Sequence, residues 1–374
     1  MSASSEPADF LVVGAGIAGA SVAWQLARES SVVILEAEDQ PGMHATGRSA
    51  AFFSEVYGNA TIRAITAASR PFFESPPPGF ADYPLLEPRG CLSFGTSVQY
   101  EALRAHFEEL RAHTAGVSFE TGAFACERVP VLKADKVAAC IWEPGAQRID
   151  VNALLQGFLR GARTMGAQLA TGAGAQNIER VDDSWRVATP AGEYRGRVLV
   201  NAAGAWADQL ALMAGAATAG LAPLRRTACI VDCDPSPDCA SWPGVTDADE
   251  NFYFIPEAGR LLLSPADETP AEPGDAYPED LDIAQAVDHL EKTTTLSVRR
   301  VVQQWAGLRT FAPDRTPVVG FDPVVDDFFW LAGQGGYGIQ TAPALSQVAA
   351  SLLRRVPLPG ELADQCAALA PGRR

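Results

Sequence analysis

The stretch that decides the fold is Asp9–Asp39, "DFLVVGAGIAGASVAWQLARESSVVILEAED". Phe10–Val13 is a short apolar run suited to a buried parallel strand, and Ala18–Leu26 has helical periodicity. Val32–Leu35 is a second apolar run that closes on Glu36. Between the first strand and the helix stand Gly14, Gly16 and Gly19 in a G-x-G-x-x-G frame. This combination predicts a βαβ dinucleotide cradle. Gly14 permits the tight turn, Gly16 lets the backbone approach a pyrophosphate, and Gly19 lets helix and strand pack closely. The helix start at Ile17 and Ala18 then faces the phosphates. Glu36, followed by Ala37, falls where an acid accepts from an adenosine ribose. Its charge would repel a 2′-phosphate, so NADP is disfavoured while FAD and NAD remain.

A chain of 374 residues, 47% hydrophobic and 20% charged, has room for two domains and an ample core. The net charge of −16, with Arg225-Arg226 and Arg299-Arg300 only as pairs, argues against nucleic acid or an anionic membrane as partner. The start, "MSASSEPAD", has neither a basic nor an apolar leader region, and no stretch is apolar for long enough to span a membrane, so a cytoplasmic location is expected. Seven scattered cysteines make no disulfide framework. Cys229, Cys233 and Cys239 match no zinc spacing, so no metal site is expected.

The segment "PGMHATGRSAAFFSEVYGN", residues 41–59, is too rich in small and aromatic residues for a plain linker, and "SPPPGF" at 75–80 is a rigid break. "RGCLSFG" at 89–95 reads as a strand of a different layer. Asp150 caps a helix whose apolar face is Leu154, Leu155, Phe158, Leu159 and Ala162, and a hairpin turning near Pro190–Gly192 leads to a buried strand at Val198–Asn201. Residues 222–311 alternate strands with a helix near Ile283–Lys292. The acidic "ADETPAEPGDAYPED" at 266–280 reads as solvated surface. The expected architecture is mixed α/β, with a Rossmann-like FAD-binding domain and a discontinuous antiparallel-sheet substrate domain.

In order, "HATGRSAA" (44–51), "VNAAGAWAD" (200–208), "WAGLRTFAPDRTPVVG" (305–320) and "GQGGYGIQ" (333–340) resemble the flavin segments of the D-amino-acid oxidase, glycine oxidase and sarcosine oxidase superfamily. Within it the chain is most similar to the bacterial D-arginine dehydrogenases. The resemblance implies an FAD-binding domain of residues 1–80, 146–220 and 312–374, and a substrate-binding domain of residues 81–145 and 221–311. It also implies noncovalent FAD, since "QWAGLRTFAPD" has no cysteine for a tether. Thr46, Arg48 and Ser49 would give donors to the diphosphate or the isoalloxazine ring, with Ala50 and Ala51 keeping the backbone close. Ala203, Gly204 and Trp206, and Gly335, Gly336, Tyr337, Gly338 and Gln340, would complete the cofactor site.

Tyr57, Arg226, Tyr253 and Arg309 carry over as the substrate constellation. Arg309 would clamp an α-carboxylate with its planar fork, Arg226 and Tyr253 would add donors, and Tyr57 would close as a lid. The implied reaction is oxidative deamination of a D-amino acid to a 2-oxo acid and ammonia, by hydride transfer to flavin N5. Two departures bear on the side chain. Cys91 in "PRGCL" stands where that branch has a glutamate for its cationic substrate, and Phe52 stands for its pocket histidine, which points to neutral or apolar side chains. Glu55 is the nearby acid that could stand in for the lost glutamate. N-alkyl amino acids such as sarcosine, or a noncatalytic flavoprotein subunit, are the alternatives, and the electron acceptor is left open.

Overall fold

The computed structural model describes residues 6–112, 114, 116–358 and 360–373. The opening unit forms as its sequence dictates. Strand Ala8–Val13 runs into helix Ile17–Leu26, and Val32–Leu35 returns parallel to the first strand, with Phe10 opposite Val32 and Val13 opposite Leu35. These strands are the middle of an eight-stranded sheet. Gln168–Ala170 extends it on one side and Gly192–Asn201 on the other, both parallel. Gly192–Asn201 also closes the expected hairpin with Ser184–Thr189, and its end pairs with Phe328–Ala332. Helix Ile17–Leu26 packs against Val151–Thr164, whose N-cap Asp150 accepts from Ala153 N at 2.8 Å, and against Gly338–Arg354. Their apolar faces, with Trp24 ringed by Phe72, Phe80 and Phe158, make the largest core cluster.

The second large sheet has nine strands, and its spine is the long antiparallel pair Ala222–Asp234 with Ser297–Phe311. It is antiparallel as expected except at one seam, where Gly244–Asp247 runs parallel to Cys91–Gly95. A three-stranded sheet, Phe52–Phe53, Gln147–Ile149 and Leu86–Pro88, is the third.

Several helices went unread in the sequence, the longest being Ala60–Glu74 and Tyr100–Arg111, with Gly122–Arg128 and Ala207–Met213 among the short ones. The first carries a signal for its start. Asn59 accepts from Ile62 N at 3.0 Å as an N-cap, and Ile62, Ile65, Ser69 and Phe73 are buried on one stripe. Among the described residues no helix is long and apolar enough to cross a membrane.

Candidate cofactor and substrate cavity

A cavity of about 350 Å³ lies between the two large sheets, bounded by the glycine turn of the first and the long strands of the second. At the glycine turn the constraints are steric. Gly14 sits at φ +104, and a Cβ there would stand 2.4 Å from the Ala202 carbonyl oxygen. One at Gly19 would stand 1.8 Å from the Gly14 carbonyl oxygen. Gly19 is therefore behind the wall, packing helix on strand, whereas Gly14, Gly16, Ile17 and Ala18 line the cavity.

The Thr46 hydroxyl accepts from Ile17 N at 3.0 Å, which ties the 41–59 segment to the helix start. The first turn of that helix carries no acidic residue, so its positive pole is open to an anion. Glu36 is buried, and its two carboxylate oxygens accept from Ala15 N at 2.9 Å and Glu38 N at 3.0 Å. It lines the cavity with Ala37.

Ser49 and Ala50 also line it, as do Ala203, Gly204 and Trp206, with Gly204 at φ +56. Ala51 does not, because its carbonyl accepts from Ile149 in the small sheet. Gly335, Gly336 and Gly338 reach the wall. Tyr337 lies behind it against Tyr57, and buried Gln340 bonds Ser54 N at 3.2 Å and the Thr66 hydroxyl at 2.9 Å. Arg48 borders the cavity, but its guanidinium is committed to Met43 O, Ala276 O, Ala306 O and Asp275.

The sequence reading passed over Ala173–Ala175, Gln209, Met213, Gly307 and Gln334, all on the wall. They carry small or neutral side chains; Gly307 and Gln334 fall inside the 305–320 and 333–340 segments, and the others in no motif. His44 lines it too, its ring tilted against Trp206 with centroids 4.7 Å apart and bonded at 2.8 Å to Glu38. The acidic loop 266–280 is likewise not plain solvated surface. Gly274 and Ala276 line the cavity, and Asp267 accepts from Thr227 N at 2.6 Å.

On the long strands, Leu224 is opposite Arg309 and Arg226 is opposite Gly307. Arg226 and Arg309 are thus diagonal neighbours on one face, and the missing side chain at Gly307 leaves them room. Arg309 is partly buried and donates from Nη1 to the Tyr57 hydroxyl at 3.1 Å. Among the described residues it has no carboxylate within ion-pair distance, although Arg226, Arg48 and Arg315 each have one. Burial works against its charge, but Tyr57, Tyr253 and Glu268 hold its pKa above the ordinary value. A Cβ on Gly336 would come to 2.8 Å of Arg309 Nη1. Arg226 donates to Asp267 O at 2.8 Å and Glu268 at 3.2 Å, so part of its fork is used internally.

Arg226, Tyr253 and Arg309 line the cavity together, and Tyr57 joins them through Arg309 rather than at the wall itself. Phe52 and Cys91 are also off the wall. Phe52 packs in an apolar cluster with Ala50, Tyr253 and Trp305, next to Gly244, whose strand neighbour is Cys91. Burial, and then Glu143, push the Cys91 thiol up to about 12, so it is neutral. Glu55 is paired with Arg70 at 2.7 Å. The acid closest to Cys91 in the sheet is Glu143, directly opposite it, which accepts from the Ser54 hydroxyl at 2.7 Å and Glu55 N at 3.0 Å.

An anion-ready helix start, a glycine turn with no room for side chains and a buried ribose-type acid fit FAD, and together with the arginine face they define a flavin-type oxidoreductase cavity. The chain belongs to the FAD dependent oxidoreductase family, whose pattern it matches over residues 9–352. It is 25% identical to mouse (Mus musculus) mitochondrial dimethylglycine dehydrogenase over 360 residues, covering 89% of this chain and 40% of that protein. It therefore spans less than half the length of that relative. It is 24% identical to glycine oxidase of Geobacillus kaustophilus, covering 93% of each. The crystal structure of glycine oxidase from that organism superimposes with a TM-score of 0.85 at 21% identity, over 99% of this chain and 100% of that one. L-proline dehydrogenase from P. horikoshii gives 0.82, also at 21% identity, over 96% of this chain and 97% of that one. The cofactor of the family, and of this chain, is FAD.

Proposed function

We propose that this protein deaminates amino acids oxidatively, with D-amino acids of neutral or apolar side chain as its substrates and FAD held noncovalently. The supporting observation is Arg309, a guanidinium at the cavity wall with no carboxylate partner among the described residues and a tyrosine hydroxyl beside it. A buried unpaired cation is costly, and a substrate carboxylate is the charge that offsets it. In this reading residues 1–80, 146–220 and 312–374 hold the cofactor, and 81–145 with 221–311 hold the substrate.

Bound FAD would supply the two-electron acceptor for oxidation of the amine carbon, and water would hydrolyse the released imino acid to a 2-oxo acid and ammonia. The protein's residues bind and orient. Arg309 takes the carboxylate, and Arg226 and Tyr253 add donors, Arg226 those not spent on Asp267 and Glu268. Tyr57 holds the Arg309 fork and excludes water. Beside the wall, the Cys91 thiol is neutral and Phe52 sits in an apolar cluster, while the acids next to them are engaged, Glu55 by Arg70 and Glu143 by the Ser54 hydroxyl and Glu55 N.

A second reading, oxidation of N-alkyl amino acids, is supported by the name of one relative, dimethylglycine dehydrogenase. The carboxylate clamp serves both readings. The deciding experiment is kcat/KM for D-leucine, D-methionine, D-arginine and sarcosine. D-leucine or D-methionine is expected to lead. A tenfold preference for D-arginine refutes the apolar pocket, and a lead for sarcosine selects the second reading.

A further inference from the structure

Arg48 is the most heavily engaged guanidinium at the cavity. Nε donates to Met43 O at 3.1 Å, Nη1 donates to Ala306 O at 2.8 Å and Ala276 O at 2.9 Å, and Nη2 is paired with Asp275. Four of its five N–H donors are spent on protein groups, which leaves little for a phosphate. Those partners belong to three separate segments: its own turn, the long strand Ser297–Phe311 and the acidic loop.

Among the described residues the acidic loop is anchored elsewhere only toward its ends. Thr269–Pro270 pairs with Leu224–Arg225 and Ala271 N bonds Pro223 O on one side, while Glu279 is paired with Arg225 on the other. Between these anchors, Gly274 and Ala276 line the cavity. Asp275 and Tyr277, which bond each other at 2.8 Å, are largely exposed. The middle of the span is held down by Arg48. The loop also carries Asp267, Glu268, Glu272, Asp275, Glu279 and Asp280. An uncompensated acid beside the cavity of an anionic cofactor would repel it, and Arg48 cancels the one nearest the wall.

We infer that residues 272–278 are a strap across the cofactor cavity and that the Arg48–Asp275 pair is its clasp, so that Arg48 positions the strap instead of binding the diphosphate. FAD entry and release then both require the clasp to open. The inference rests on the cofactor and is independent of the substrate.

The test uses holoenzyme and follows FAD release by the rise in flavin fluorescence on dilution, and FAD rebinding by its quenching with deflavinated protein. Asp275→Asn should accelerate both association and release by about two- to fivefold, the range of a partly exposed ion pair. The equilibrium Kd should change less than either rate. Added salt should speed exchange in the wild type and have less effect in the variant. Arg48→Met, which also loses three carbonyl contacts, should exchange faster still. If Asp275→Asn slows release and tightens FAD, Arg48 is freed to serve as a direct ligand and the clasp is wrong. Unchanged rates in both variants overturn it equally, and faster release without faster rebinding marks damage to the fold rather than a gate.

Discussion

At the end bounded by Gly14, Gly16, Thr46 and Gly204 the cavity presents backbone and small side chains, whereas at the end bounded by Arg226, Tyr253 and Arg309 it presents long charged and aromatic ones. The first end has no room for a side chain at Gly14, where an added Cβ would stand 2.4 Å from the Ala202 carbonyl oxygen, nor just behind it at Gly19, where one would stand 1.8 Å from the Gly14 carbonyl oxygen. The second is built on two adjacent strands whose register puts two guanidiniums on one face. The difference separates two tasks. Under the proposed function, close backbone approach serves the cofactor and the projecting side chains serve the substrate.

The largest effect should come from breaking the cofactor end. Gly19→Val drives a side chain into the Gly14 carbonyl, so the purified protein should lack flavin absorbance and melt lower; a yellow, stable variant would remove the steric argument. Breaking the substrate end should leave the cofactor alone. Arg309→Met should keep FAD and lower kcat/KM for amino acids by roughly 100-fold, the worth of a desolvated charge-assisted contact. Loss of flavin in that variant would show that the two ends are not separate.

Glu143 lies off both ends, in the buried cluster with Ser54, Glu55, Arg70 and Cys91. Burial raises its carboxyl from 4.5 to about 7. The folded protein thus holds this proton more tightly than the unfolded chain. The stability that Glu143 contributes is complete below pH 4.5 and is lost as pH rises through about 7. Relative to wild type, Glu143→Gln should gain about 3 kcal/mol between those limits, read as the difference in unfolding free energy at pH 4.5 and pH 8. A difference that does not vary with pH would mean the carboxyl is not titrating there.

Gly336→Ala presses on the Arg309 fork and should raise KM about tenfold with kcat nearly kept, which distinguishes displaced binding from lost chemistry. Smallest is Tyr57→Phe, which removes one hydrogen bond to Arg309 and should cost two- to fivefold in kcat/KM, about 1 kcal/mol. Tyr57→Ala should cost more, through the lost packing on Tyr337.

The same contrast explains what the sequence disclosed. The βαβ unit was legible because glycine spacing, apolar periodicity and a terminal acid are local signals, and Asp150 and the 190–192 turn were legible for the same reason. Arg309 and Tyr253 were reached only through resemblance, since a lone arginine or tyrosine carries no spacing. Their juxtaposition depends on the pairing of Ala222–Asp234 with Ser297–Phe311, a register set by contacts distant in sequence. The acidic loop was misread because composition reports solubility and not partners. Arg48, 227 positions from Asp275, is what brings it to the cavity. Glu143 escaped notice for a related reason: its partners Ser54 and Cys91 become neighbours only when three strands assemble.

The most direct test of the carboxylate clamp is anaerobic bleaching of the bound flavin by D-leucine compared with 3-methylbutylamine, which is the same molecule without its carboxylate. Saturable bleaching by D-leucine and none by the amine at matched concentration is expected, with the D-leucine response lost in Arg309→Met. Equal bleaching by both compounds, or an Arg309→Met variant that still saturates with D-leucine as the wild type does, would contradict it.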